Sequence, residues 1–134
     1  MAEKQDIPMN NFASMTDAGY VYVEGNNGSQ GKMKYRDVMV NGGIIKLYIN
    51  IEPGDFYELP YTSGLIIIRD ATSVLKSACA IIDRNNNGEI LTTDNRINFF
   101  SDVANKICVF MDGKYIVKNT FSIQHAVSIT MIGQ

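Results

Sequence analysis

The sequence predicts a small all-β domain, a β-sandwich or jelly-roll-like head, preceded by an N-terminal arm and a β-hairpin. Three observations carry this. From Ile44 to Gly133 the chain is a string of short apolar runs cut by Asn, Gly and Asp. Most of these runs alternate apolar and polar residues, the period of a strand, and hardly any holds a helical period long enough for a helix. Turn signals recur about every eight to twelve residues, the rhythm of a sandwich.

The elements follow in order. Residues 1–16 are polar and Met-rich, carry Pro8 and the pair Asn10-Asn11, and read as an extended arm that orders on assembly. Tyr20-Val21-Tyr22-Val23-Glu24 is a strand signal, GNNGSQG is turn chemistry, and Lys32-Met33-Lys34-Tyr35 pairs back as a hairpin. Arg36 to Val40 reads as a short helical turn. Asn41-Gly42-Gly43 is the expected boundary, giving an anchoring arm and hairpin over residues 1–40 and a head over residues 44–134.

In the head, Ile45, Leu47, Ile49 and Ile51 alternate with Lys46, Tyr48, Asn50 and Glu52, which is a half-buried strand. FYELP is a short strand ended by Pro60. Leu65-Ile66-Ile67-Ile68 is continuously apolar, so it is expected to be covered on both faces, in a sandwich or at a subunit contact. DATSVL connects. SACAIID and GEILTT form a hairpin around the Asn run, and RINFF is a short strand. KICVFM and KYIVKN flank Asp112-Gly113, a strong hairpin signal. HAVSITMIG closes the domain, with Val127, Ile129 and Met131 on one face.

Composition bounds the function. The chain has 134 residues, enough for one domain with an appendage. Its formal net charge is −2, which gives no basic field for a nucleic-acid backbone. Only 19% of residues are charged while 46% are hydrophobic, so part of the surface is expected to be buried in an oligomer. No apolar run approaches the roughly 20 residues that cross a bilayer, and the first twelve lack a signal-type apolar stretch. The expectation is synthesis in a cytoplasm without membrane insertion. Cys79 and Cys108 each sit in an apolar run and read as small core residues, with a disulfide between them left open.

Several constellations bear on chemistry. Asp83 to Asp94, DRNNNGEILTTD, follows the spacing of a calcium loop, with Asp83, Asn85, Asn87 and Asp94 as oxygen ligands and Gly88 at the central position. The last position is Asp where a bidentate Glu is usual, and the flanks read as strands where helices are needed, so an ordinary hairpin turn is favoured. His125 is the only histidine, which makes zinc improbable and suggests a strand face or a subunit contact. Glu52, Asp55, Glu58 and Asp70 fall at turns and strand ends and do not announce a carboxylate pair. No nucleophile elbow and no phosphate loop is present, so no catalytic residue and no cofactor is expected. Tyrosines are the remaining pool, and Tyr57 and Tyr61, flanking Pro60, are the candidates for glycan contact.

The stretch Ile7-Pro8, Thr16-Asp17-Ala18-Gly19-Tyr20-Val21-Tyr22-Val23 and Gly31-Lys32-Met33-Lys34-Tyr35-Arg36-Asp37-Val38 resembles the N-terminal module of virion appendage proteins of tailed bacteriophages, notably the crAss-like phages of gut Bacteroidales. Pro60 to Asp70 and the closing KICVF, YIVKNT and VSITMIG are similar in cadence to the small sandwich tips of such proteins. The chain has no long shaft, which favours a compact decoration or a short fibre. The resemblance implies a homotrimeric head-fibre, capsid-decoration or short tail-fibre subunit of the virion. It would be made in the host bacterial cytoplasm and dock on a phage capsid or tail protein through the hairpin of Tyr20, Tyr22 and Tyr35. The head would face outward, toward host-surface glycans. A monomeric carbohydrate-binding module and a calcium-binding adhesion module are the rival readings.

Overall fold

The computed structural model describes residues 19–26, 28–72 and 76–134. The expected arm over residues 1–16 and the Ser73-Val74-Leu75 part of the connection lie outside the described residues, as does the side chain of Tyr35. The chain divides into two compact units, Met1–Val38 and Met39–Gln134. The division falls inside a short helix, α1 (Tyr35–Asn41), and not at the Asn41-Gly42-Gly43 signal that follows it.

In the first unit, β1 (Tyr20–Glu24) and β2 (Gln30–Lys34) pair antiparallel, with Tyr22 opposite Lys32. The turn closes through Gly25 N–H to Ser29 O and Gly28 N–H to Gly25 O, and Gly28 supplies a positive φ of 80°. Val21, Val23 and Met33 are half-buried; the tyrosines lie on the opposite face.

The second unit is the expected all-β sandwich. One sheet has the order β3 (Ile44–Ile51), β11 (His125–Gly133), β5 (Gly64–Asp70), β6 (Ser77–Asp83) and β7 (Asn87–Thr92), all antiparallel. The other has the order β4 (Phe56–Glu58), β10 (Lys114–Asn119), β9 (Ile107–Asp112) and β8 (Ile97–Phe99), with the last pair parallel. Alternation decides the core. Ile45, Leu47 and Ile51 of β3, Ile66 and Ile68 of β5, Ala78, Ala80 and Ile82 of β6, and Val127, Ile129 and Met131 of β11 face inward. They meet Ile97, Phe99, Ile107, Val109, Tyr115 and Val117 of the second sheet. At about 25 cal/mol per Å² of apolar surface, this shared layer supplies the main driving force.

Three local features sharpen or correct the expectations. The Leu65 to Ile68 run is covered on one face only: Ile66 and Ile68 are fully buried, while Ile67 is 39% exposed. Within one chain, period two outranks the continuous hydrophobicity of the run, so the sandwich covers one face, and the other expected covering, a subunit contact, concerns Ile67. Cys79 and Cys108 are both free and lie in different sheets. The β9–β10 reversal is tighter than a two-residue loop, with Asp112 and Lys114 already paired across Gly113, whose φ is 72°.

Candidate interaction surface

The residues that alternate with the core on the five-stranded sheet make its outer face. Cross-strand partners share a face, so the register reads off its composition. Ile132 stands opposite Ile44 on one side and Leu65 on the other, Leu65 opposite Ile81, and Ile81 opposite Glu89. The next row runs Lys46, Thr130, Ile67, Cys79, Thr92, and the one after it Tyr48, Ser128, Arg69, Ser77. Ile132 is 56% exposed and Tyr48 66%. With strands about 4.8 Å apart and a rise of about 3.4 Å per residue, five strands of this length cover roughly 450 Å² in plan. The aliphatic side chains take up only part of that area, beside Lys46, Thr130, Ser128, Arg69 and Ser77, and contiguous exposed apolar surface of this kind is often functional. At the β7 rim, Ile90, opposite core Ala80 on the inner side, and Leu91, at a register shift, are both exposed on an edge strand. Unpaired, apolar edges are what proteins normally protect.

The chemistry-bearing cluster lies on the other side, at the end of the inner layer. Asp70 closes β5 and His125 opens β11, and each is almost fully buried. The imidazole Nδ1 lies 2.9 and 2.8 Å from the two Asp70 oxygens. Asp70 Oδ1 also accepts from Thr72 N–H (3.1 Å), and the Thr72 hydroxyl accepts from Ala126 N–H (2.6 Å). Phe121 stacks on the imidazole at 3.9 Å and 8°. His125 is therefore neither on an open strand face nor at a surface contact, as its sequence context had suggested. The pair fastens the connection after β5 to the start of β11. Beside it, Asn119 is fully buried and donates to the carbonyls of Ile51 (2.8 Å) and Ile123 (2.9 Å) while accepting from Phe121 N–H (2.8 Å).

The calcium-like residues occupy a hairpin. Asp83 and Asn87 are cross-strand partners at the β6–β7 reversal, and Asn85 and Asn86 take left-handed φ of 71° and 57°. The side chain that works here is Asn86, which the calcium spacing does not single out. It donates to Phe100 O (2.9 Å) and accepts from Met111 N–H (3.0 Å), tying the turn to the other sheet. Asp94 is spent on Arg96 N–H (2.9 Å) in the link to β8. Among the described residues no three His, Cys, Asp or Glu side chains converge as metal ligands.

Tyr57 and Tyr61 do not form an exposed pair. Tyr57 is half-buried against the core, and Tyr61 is a core residue at 6% exposure whose hydroxyl donates to Val40 O (2.7 Å). Burial pushes its phenol above the ordinary value. The same holds for fully buried Tyr115, whose hydroxyl donates to the Asp83 carbonyl. Burial also raises the Cys108 thiol, enclosed by Val103 and Lys106. In the hairpin unit, Tyr20 and Tyr22 are open to solvent. The Lys32 ammonium sits 4.6 Å over the Tyr20 ring, and the Tyr22 hydroxyl donates to Gln30 Oε1 (3.2 Å). Among the described residues no helix is long and apolar enough to cross a membrane. The chain matches no protein-family model, no curated protein and no solved structure.

Proposed function

We propose that this chain is a structural, non-enzymatic subunit that works as a homotrimer, serving a tailed-phage virion as a head-fibre, decoration or short tail-fibre protein. The observation that carries the reading is the outer face of the five-stranded sheet, whose two rows at the Ile44–Ile132 end hold Ile44, Ile132, Leu65, Ile81 and Ile67, with Lys46 and Glu89 on the two edge strands. Leaving such a face wet costs free energy in proportion to its apolar area, and assembly recovers it. The polar cluster supports the same reading. Asp70 and His125 are walled in by the protein and spent on holding two segments together.

The hairpin unit is the proposed particle anchor. A two-stranded ribbon is marginal in water by itself, and its exposed Tyr20 and Tyr22 carry apolar area with polar tips, the usual make-up of a contact surface. Virion membership rests on the likeness of the first forty residues to phage appendage modules. Light scattering on the purified chain tests the assembly: three times the 14.9 kDa chain mass is expected, and a single chain mass at every concentration contradicts it. An antiserum to the chain is expected to label phage particles in electron micrographs. Its failure to find the protein in purified particles contradicts the virion reading alone.

A further inference from the structure

We infer that the occupant of the outer face of the five-stranded sheet is the same face of another copy of this chain, set so that the β7 corner of one copy meets the β3–β5 side of the next. The inference rests on the oligomeric reading above and specifies its contact surface. The argument is charge. Among the outer-face positions that the register defines, the ionic side chains are segregated. Asp83 and Glu89 stand at the β6–β7 corner, and Lys46 and Arg69 on β3 and β5. Between them lie Ile132, Leu65, Ile81, Ile67, Cys79 and Thr130.

A surface with acids at the β7 edge, Lys46 at the opposite β3 edge and aliphatics between is complementary to itself, while Arg69 stands on the central strand. In a closed ring of three copies the β7 corner of each lies toward the β3 edge of the next, bringing Asp83 and Glu89 toward Lys46 while the aliphatic rows meet between them. A bilayer or an apolar peptide satisfies the aliphatic rows but leaves all four ionic groups without a partner. A strongly charged partner leaves one sign unmatched.

The placement of Cys79 gives an independent readout. It lies in the row between Ile67 and Thr92, half-buried in the single chain, and burial between copies shields its thiol from a water-borne reagent. Cys108, the only other cysteine, is already inside the core and reacts slowly in any folded state.

Sedimentation velocity on the full chain tests this with four variants: Ile132→Arg, Lys46→Glu, Glu89→Lys and the double exchange Lys46→Glu/Glu89→Lys. All the altered side chains are exposed in the single chain. Ile132→Arg is expected to give folded monomer, with a Cys79 labelling rate at least tenfold above wild type. Each single charge reversal is expected to weaken association about two- to tenfold, and the double exchange to return it to within about threefold of wild type. Should Ile132→Arg misfold by circular dichroism, the charge exchange decides. A wild-type oligomer that all four variants preserve, with an unchanged Cys79 rate, overturns this surface and leaves the oligomeric reading intact. A monomeric wild type overturns both.

Discussion

Asn119→Ala is the sharpest perturbation of the fold. Asn119 lies at the end of β10 with no exposure, and its amide closes three hydrogen bonds, to the carbonyls of Ile51 and Ile123 and from the N–H of Phe121. Its own backbone is committed too, accepting from Gly54 N–H and donating to Asp55 O. Truncation leaves two acceptors and one donor without partners. Each bond is worth about 1 kcal/mol net, and an unpaired buried group costs about 1–3 kcal/mol, so partial access of water brings the total to roughly 3 kcal/mol. For a domain of this size that lowers the melting temperature by roughly 10 °C. In urea, with a slope near 1.5 kcal/mol/M, it moves the midpoint by about 2 M. The internal control is Asn98→Ala, since Asn98 donates to Ser101 O and Oγ at the surface, where water replaces it, and the cost there is expected below about 1 kcal/mol. Both are measured at one protein concentration, because assembly adds to apparent stability. Equal midpoints for the two variants refute the view that Asn119 is a buried hub.

Four further outcomes follow from the geometry. Because burial raises the Tyr61 and Tyr115 phenols, the unfolded chain loses those protons first, at about pH 10. Their contribution is thus complete below that pH and lost as pH rises toward their folded values. Urea midpoints between pH 8 and 11 are expected to be flat and then fall, and Tyr61→Phe to shallow the fall; a midpoint that rises there contradicts the assignment. Gly64→Ala is expected to cost about 3 kcal/mol or more by thermal melting, since φ is +141° and an added Cβ would overlap the Ile132 carbonyl oxygen. Asn86→Ala is expected to cost about 2 kcal/mol, and millimolar calcium to leave the wild-type melting temperature unchanged; a rise of several degrees with calcium would restore the metal reading of Asp83 to Asp94. Asp70→Ala and His125→Ala each strand one member of a buried pair, so each is expected to cost about 3–5 kcal/mol and the double variant clearly less than their sum; strict additivity in the double-mutant cycle removes the pair as a unit.

Much of this fold was legible because strand signals are local. The alternation of Ile45, Leu47, Ile49 and Ile51 and of Val127, Ile129 and Met131 names core positions directly; all are buried except Ile49, which is half-buried against the core. Tyr20 to Glu24 and its return strand were readable from alternation around a Gly-Asn loop. What stayed hidden depends on partners far apart in sequence. Asp70 and His125 are 55 positions apart, and nothing in either context announces the other. Asn119 looks like any polar strand end until the fold gathers the Ile51, Phe121 and Ile123 backbone around it. Asn86 was overshadowed by its neighbours, since cation-ligand spacing and a hairpin turn draw on the same residue types. Tyr61 follows Pro60 at what reads as a turn, yet its ring is packed beneath Gly133. The outer face had a signal in the unbroken Leu65 to Ile68 run, whose Ile67 the single chain leaves 39% exposed.

The rate of Cys79 labelling against protein concentration tests the assembly surface most directly. Cys79 sits mid-face in the single chain, half-open to water, while the other thiol is sealed in the core. The account predicts one fast-reacting thiol per chain in dilute solution, slowing at least tenfold as concentration rises through the association range seen by light scattering. A rate that stays constant while the measured mass changes contradicts burial of this face between copies.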